Sequence, residues 1–353
     1  HPHIKAISFT GGTKTGAEIA RVAAPMFKKL SLELGGKNPN IIFADCDFDK
    51  AVQTTVRSSF SNQGEICLCG SRVFVERSIY DKFKVAFVEQ VKALKVGDPM
   101  KEENWLGAIV SKPHMEKILS YIALAQEEGG VILTGGKQVK PEGDLSEGYY
   151  IQPTVIEGLS YDCRTNQEEI FGPVVTIQPF DTEEEVLKFA NSTTYGLAAT
   201  VWTQHLTRAH RVAANLHSGI VWINTWLLRD LRTPFGGVKN SGVGREGGFE
   251  ALKFFTEEKN ISPALKSVIE ILLVIVSIFM EKFNKNSANS SKPPSEDKNR
   301  LRGSKKPPSG RKPGGQNGHE GSRLQKVDDP DEIELIKIDK RTLPRGRKYR
   351  DVG

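Results

Sequence analysis

An α/β fold is predicted for the first 260 or so residues by three observations. Short apolar runs alternate with stretches whose apolar residues fall at helical spacing, the rhythm of strands and helices in turn. Gly-rich segments between them carry interleaved apolar residues, which marks tight, packed turns in place of linkers. Composition agrees: 353 residues suit about two ordinary domains, and 38% apolar content with 33 Gly excludes a wholly disordered or fibrous chain.

The elements follow in order. ISFTGGTKTGAEIARVAA (7–24) reads as strand, Gly-rich turn and helix, and such a helix start offers unpaired N–H groups and a positive dipole end to a phosphate. Its glycines fall short of the full dinucleotide fingerprint. NIIFA (40–44) predicts a strand, Asp47 caps a helix in which Val52, Val56 and Phe60 fall four apart, and SRVFVE (71–76) predicts the next strand. From Ser78 a further helix puts Phe83, Phe87 and Val91 on one face. PVVTIQPF (173–180) and LAATVWT (197–203) read as buried strands around the acidic-started helix DTEEEVLKFAN. In the Gly-rich stretch 234–248, Phe235, Val238 and Val243 are interleaved. GVGREG (242–247) matches G-x-G-x-x-G, yet no apolar strand leads into it, so it is discounted as a phosphate finger.

The character changes after Pro263. Ile269, Leu272, Val276, Phe279 and Phe283 follow the alternating spacing of a coiled-coil seam, which predicts a zipper-like helix over 264–283. Residues 284–353 are poor in apolar side chains and rich in Pro, Gly, Ser and Lys, so a basic, mostly disordered tail is expected.

The net charge of +6 belongs to that tail. Residues 281–353 hold 19 Lys and Arg against 11 Asp and Glu, whereas residues 1–280 hold 30 against 32. Four cysteines, Cys46, Cys67, Cys69 and Cys163, do not make a disulfide framework in a chain of this size, so a reducing cytoplasm is the default. The longest apolar run, ILLVIVSIFM (271–280), is half of what a bilayer span needs, so no membrane is expected. The chain opens on His1 with no signal peptide and reads as a fragment whose beginning is missing. The seven histidines include no H-E-x-x-H and the cysteines no C-x-x-C, so no metal is expected.

Two segments carry candidate chemistry. FSNQGEICLCGSR (60–72) puts Cys67 after a Gly turn at a helix-to-strand join, where backbone N–H groups lower a thiol pKa and hold an oxyanion. Pattern alone leaves Cys67 either a nucleophile or a buried inert cysteine, with Cys69 as a local competitor pointing the same way. KLSLELGGKNPNIIF (29–43) sets Glu33 in an apolar run before paired glycines, where a raised pKa would make it a general base; a surface salt bridge is the alternative.

FTGG, LELGGKNP, NQGEICLCGSR, EEIFGPV (168–174) and PFGGVKNSGVGREGG (234–248), in that order, resemble the aldehyde dehydrogenase superfamily. The resemblance implies an aldehyde dehydrogenase-like catalytic domain with a partial Rossmann-like cofactor domain: residues 1–34 a remnant of the NAD-binding domain, 35–262 the catalytic domain and C-terminal segment. It implies Cys67 as nucleophile and Glu33 as general base. Glu169 and Phe171 match residues that hold the nicotinamide ribose and ring of NAD, and Gly11 and Gly12 match the turn beside the pyrophosphate. Gly12 stands where the family's FTGS has serine, which removes one side-chain hydrogen bond to phosphate. ELGGKNP, GEICLC and WLLRDLRTPFGG (226–237) are most similar to aminomuconate and hydroxymuconate semialdehyde dehydrogenases. Arg229 stands where that subgroup places an arginine, suited to a substrate carboxylate, a surface or structural role being the alternative. The implied activity is NAD-dependent oxidation of a small-molecule semialdehyde, with a homo-oligomer left open. The family's segment before FTGG supplies an oxyanion-hole asparagine and an adenosine-binding lysine, so impaired cofactor binding and activity are expected of the chain as it stands.

FNKNSANSSKPPSED and GRKPGGQNGHEGSRLQKVDDPDEI resemble the N-terminal region of bacterial insertion-sequence transposases. Two families meeting near residue 263 imply a gene fusion, an insertion or a mis-assembled gene. The competing reading is a DNA-associated transposase remnant or a non-functional fusion, with weak nucleic-acid contact through the tail.

Overall fold

A computed structural model describes residues 1–261 and 263–284; the expectations for 285–353 lie outside them. Residues His1–Asn260 form one compact unit, and a second begins at Ile261.

The first unit opens with strand β1 (Ala6–Thr10), helix α1 (Thr13–Ala23) and strand β2 (Lys29–Glu33), then β3 (Asn38–Ile42) and α2 (Phe48–Phe60). Asp47 caps α2 as predicted, accepting from the Lys50 N–H. After β4 (Gly70–Glu76), α3 spans Arg77–Lys92; it starts one residue before Ser78, because Glu76 takes the cap position. There follow α4 (Lys112–Glu127), β5 (Val131–Thr134), the short strands β6 (Gln138–Val139) and β7 (Tyr150–Ile151), β8 (Thr154–Glu157) and α5 (Arg164–Gln167). Next come β9 (Val174–Phe180), α6 (Glu183–Asn191), β10 (Tyr195–Gly196), β11 (Ala198–Trp202) and α7 (Leu206–Asn215). The unit closes with β12 (Ile220–Ile223), β13 (Val238–Lys239), β14 (Gly242–Val243) and α8 (Gly248–Phe255).

Seven strands form one sheet in the order β12-β11-β3-β4-β9-β8-β5, parallel throughout except at β5. Parallel strands covered on both faces read as near-continuous apolar runs, which is why NIIFA, SRVFVE and PVVTIQPF were legible. Alternation then divides them between two cores. Ile42, Val73, Val75 and Ile177 meet Val52, Val56 and Phe60 of α2 and Phe83, Phe87 and Val91 of α3. Ile41, Phe74, Phe180 and Val201 meet Val186 of α6 and Val212 of α7 on the other side.

A second sheet has the order β1-β2-β14, with β1 and β2 parallel through α1 and β14 antiparallel to β2. The discounted GVGREG therefore supplies a strand, and its Val243 is exposed where the sequence suggested an interleaved apolar contact. The chain passes from the second sheet to the first through Leu34–Lys37.

In the second unit α9 runs Pro263–Asn284, covering the predicted zipper-like span, with Ile269, Leu272 and Val276 exposed. No helix among the described residues is long and apolar enough to cross a membrane.

Candidate active site

The nucleophile candidate sits in a loop whose backbone is unusually constrained. After α2 the chain turns through Asn62 (φ 49°), Gln63 (φ 55°) and Gly64 (φ 73°), three successive left-handed residues, two of them not glycine. At Gly64 an added Cβ would lie 2.2 Å from the Gly172 carbonyl oxygen, so only glycine fits. Three successive carbonyls of the next stretch are each held by a distant side chain. Asn38 Nδ2 donates to the Cys67 and Cys69 oxygens at 2.7 and 2.8 Å, and Trp226 Nε1 donates to the Leu68 oxygen at 3.0 Å. A buried loop must satisfy its polar backbone, and here side chains replace the missing ladder.

The two competing cysteines separate. Cys69 is buried, its thiol donates to the Ser61 carbonyl oxygen, and burial pushes its pKa up to about 12. Cys67 is half-buried and lines a cavity of about 490 Å³. The two differ in burial, and of the pair only Cys67 lines this cavity. The expected lowering of the Cys67 pKa is overturned. The Cys67 and Leu68 N–H groups do favour the thiolate, but burial, Glu169 and Glu33 outweigh them and push the thiol up to about 11.

Glu33 ends β2 and is 4% exposed. Its pairing opposite Gly242 of β14 walls it in, and among the described residues only the Gly237 N–H approaches the carboxylate, without reaching full hydrogen-bond geometry. An added Cβ at Gly236 would lie 2.6 Å from Glu33 Oε1, so the PFGG glycine lets the backbone close over the carboxyl. Burial first, then the negative charge of Glu246, raises its pKa to about 7; Arg245, the Gly237 N–H and Arg229 pull the other way. The surface salt bridge held open as the alternative is excluded by this burial.

Glu33, Cys67, Gly11, Gly12, Glu169 and Phe171 all line the same cavity, with His114, Lys117 and Glu65. Gly36 N–H donates to Glu169 Oε1 at 2.8 Å, and a Cβ at Gly35 would lie 2.3 Å from Glu169 Oε2, so the paired glycines seat this carboxylate. Burial raises the Glu169 pKa. Phe171 takes a left-handed φ of 61°, its carbonyl bound to His114 Nε2 at 2.6 Å. Gly12 is the N-cap of α1; no side chain caps that helix, no acidic residue occupies its first turn, and the space beside Gly12 is open. Arg229 is not among the lining residues. It is exposed, with its guanidinium 3.9 Å from the centre of the Phe235 ring, and close enough to Glu33 to lower its pKa.

Sequence reasoning missed Asn38, Trp226, Arg245 and Glu246. Asn38 lay inside the quoted LELGGKNP, but its partners are distant in sequence and no local pattern discloses them. Glu246 and Arg245 belong to the segment set aside as a false phosphate motif.

A seven-stranded, largely parallel sheet with helices on both faces places the first unit in the α/β class, and a thiol and a near-neutral carboxyl share one of its cavities beside an uncapped helix start. Residues 1–261 match the aldehyde dehydrogenase family, and the chain belongs to it. It is 52% identical over 261 residues to 2-aminomuconic 6-semialdehyde dehydrogenase of Pseudomonas sp, covering 74% of this chain and 53% of that protein. It is 49% identical over 261 residues to 2-hydroxymuconic semialdehyde dehydrogenase of Pseudomonas sp. (strain CF600), covering 74% and 54%. Among solved structures, betaine aldehyde dehydrogenase from Staphylococcus aureus in complex with NAD+ superposes with a TM-score of 0.72 at 42% identity, covering 74% of this chain and 52% of that one. The chain thus spans about half the length of the curated relatives it matches. Residues 249–325 match a second family, of unknown function.

Proposed function

We propose that the chain takes part in NAD-dependent oxidation of a carboxylate-bearing semialdehyde to its acid, with Cys67 as nucleophile and Glu33 as general base. The observation that carries the reading is that both face one cavity and that Glu33 is held near neutrality, where a carboxylate both accepts and releases protons. The Cys67 thiol gives its proton up to solvent, which leaves Glu33 unprotonated as the base for the later hydrolytic step. The sulfur then adds to the aldehyde carbon, and the Cys67 N–H faces the oxyanion of the thiohemiacetal. The uncapped start of α1, with open space at Gly12, fits a pyrophosphate, while Glu169 and Phe171 fit the nicotinamide end. When bound there, NAD supplies the hydride acceptor. Glu33 then draws a proton from the water that releases the acid from the Cys67 thioester. Arg229 takes the substrate carboxylate, supported by relatives named for semialdehydes of muconic acids. The proposed boundary at residues 34 and 35 falls where the chain leaves one sheet for the other.

The test is mass spectrometry of the chain incubated with NAD and such a semialdehyde. An acyl adduct on Cys67 that accumulates in Glu33→Gln and is absent from Cys67→Ala is expected. NADH formation that survives Cys67→Ala overturns the mechanism.

For residues 264–353 we infer a transposase-derived region with weak nucleic-acid contact, supported by the two quoted strings and the excess of basic residues. The match over 249–325 carries no function of its own.

A further inference from the structure

We propose that Asn38 is a positioning residue for the nucleophile: by gripping the Cys67 carbonyl from behind, it turns the Leu68 N–H of the same peptide toward the sulfur. The role rests on the reading of Cys67 as nucleophile. In a trans peptide the C=O and the following N–H point in opposite directions, so whatever fixes one aims the other. Asn38 is buried, and its carboxamide is fully engaged. Nδ2 gives both protons, to the Cys67 and Cys69 oxygens, and Oδ1 accepts the Ala198 N–H at 3.0 Å.

The surroundings leave this amide no freedom. A Cβ at Gly36 would lie 2.8 Å from the Cys67 oxygen and 2.9 Å from Asn38 Oδ1, so the glycine backbone packs on both. The pairing of β3 with β4 shifts register between Asn38 and Pro39. Pro39 has no N–H for the ladder, and a bulge there re-aims the preceding side chain out of the sheet. On the far side of the Cys67–Leu68 peptide, the Leu68 N–H is one of two backbone groups that favour the thiolate against the burial opposing it. A hydrogen bond accepted by a carbonyl also polarises its own N–H, so Asn38 both aims and strengthens the donor.

The experiment is alkylation of the full chain by iodoacetamide at pH 8.5, read by peptide mass spectrometry as the ratio of Cys67 to Cys46 labelling. Cys46 lies away from the cavity, half-buried, with its thiol likewise pushed up to about 11, and serves as internal reference. Below the pKa the rate follows the thiolate fraction. Asn38→Ala is expected to lower the ratio on the order of fivefold, and Asn38→Ser, whose hydroxyl reaches one carbonyl, to lower it by less. A merely structural role moves the ratio the other way, because a loosened loop exposes the sulfur. An unchanged or increased ratio in both variants, or new labelling of buried Cys69, overturns the role. Failure of the parent reading shows separately, as NADH formation that survives Cys67→Ala, a readout independent of the labelling ratio.

Discussion

Glu33 is the residue at which the proposed function works against stability. Its folded pKa of about 7 lies above the ordinary value of 4.5, so the folded chain holds a proton there that the unfolded chain gives up. The sign follows: the protonated fold is favoured below pH 4.5, and that advantage is lost as the pH rises through 7. Above 7 the fold must hold a buried carboxylate with little compensation, at a cost on the order of 3 kcal/mol. Glu33→Gln keeps the shape and removes the charge. It should raise the urea midpoint at pH 8 and leave it unchanged at pH 4.5; an equal shift at both pH values refutes the electrostatic account. In parallel, thioester hydrolysis by the wild type should fall with pH below about 7, as the base is protonated. The raised pKa of Glu33 was one of two readings the sequence left open, and burial at the end of β2 selects it over the surface salt bridge. The chemistry of Cys67 was half legible. The loop amides are where the sequence implied, but burial first, and then two carboxylates brought in by other elements, outweigh their effect on the thiol.

Between elements, Arg72 holds buried carbonyls as Asn38 holds those of the Cys67 loop. It is 1% exposed on β4, and its guanidinium donates to the Lys37 oxygen at 2.9 Å and to the Phe189 and Ala190 oxygens at 2.8 Å. The last two are carbonyls from the C-terminal turns of α6, where a cation is favoured by the helix dipole. One side chain thus ties a helix end and the β2–β3 loop to the central sheet. Arg72→Met should cost about 3 kcal/mol in urea unfolding, because three buried acceptors lose a charged donor. Arg77→Ala, which breaks an exposed pair with Asp181, should barely move the midpoint. A small effect at Arg72 would mean that water or main chain re-satisfies those carbonyls. None of this is visible in SRVFVE, which reads as a strand whether its arginine is buried or not. Periodicity located the strand and both neighbouring helices, since Phe83, Phe87, Val52 and Val56 keep one face each. It failed at GVGREG, where pairing with β2 makes a two-residue strand too short for any pattern.

At the scale of the whole molecule, the first unit holds two main sheets, and its cavity draws on segments from residue 10 to residue 171. That assembly was legible only through resemblance, because each segment alone has a bland reading: an apolar run, a turn, a lone thiol. Charge is the one molecular property that composition fixed directly, and it is unevenly placed. Residues 1–280 are nearly balanced, while 281–353 carry 19 basic against 11 acidic side chains. Any affinity for a polyanion should therefore follow the tail. Phe283 and Tyr349 are its only aromatic residues, so there is little to stack on bases, and contact should be with phosphates and indifferent to sequence. Phosphate contacts release counterions, which makes such binding fall steeply with salt. Full-length chain should be retained on immobilised DNA at about 50 mM salt and released by about 200 mM. Retention should vanish when residues 281–353 are deleted and be equal on unrelated DNA sequences. Retention that survives the deletion would move the contact to the family domain, and retention that resists salt would call for specific readout that this composition does not supply.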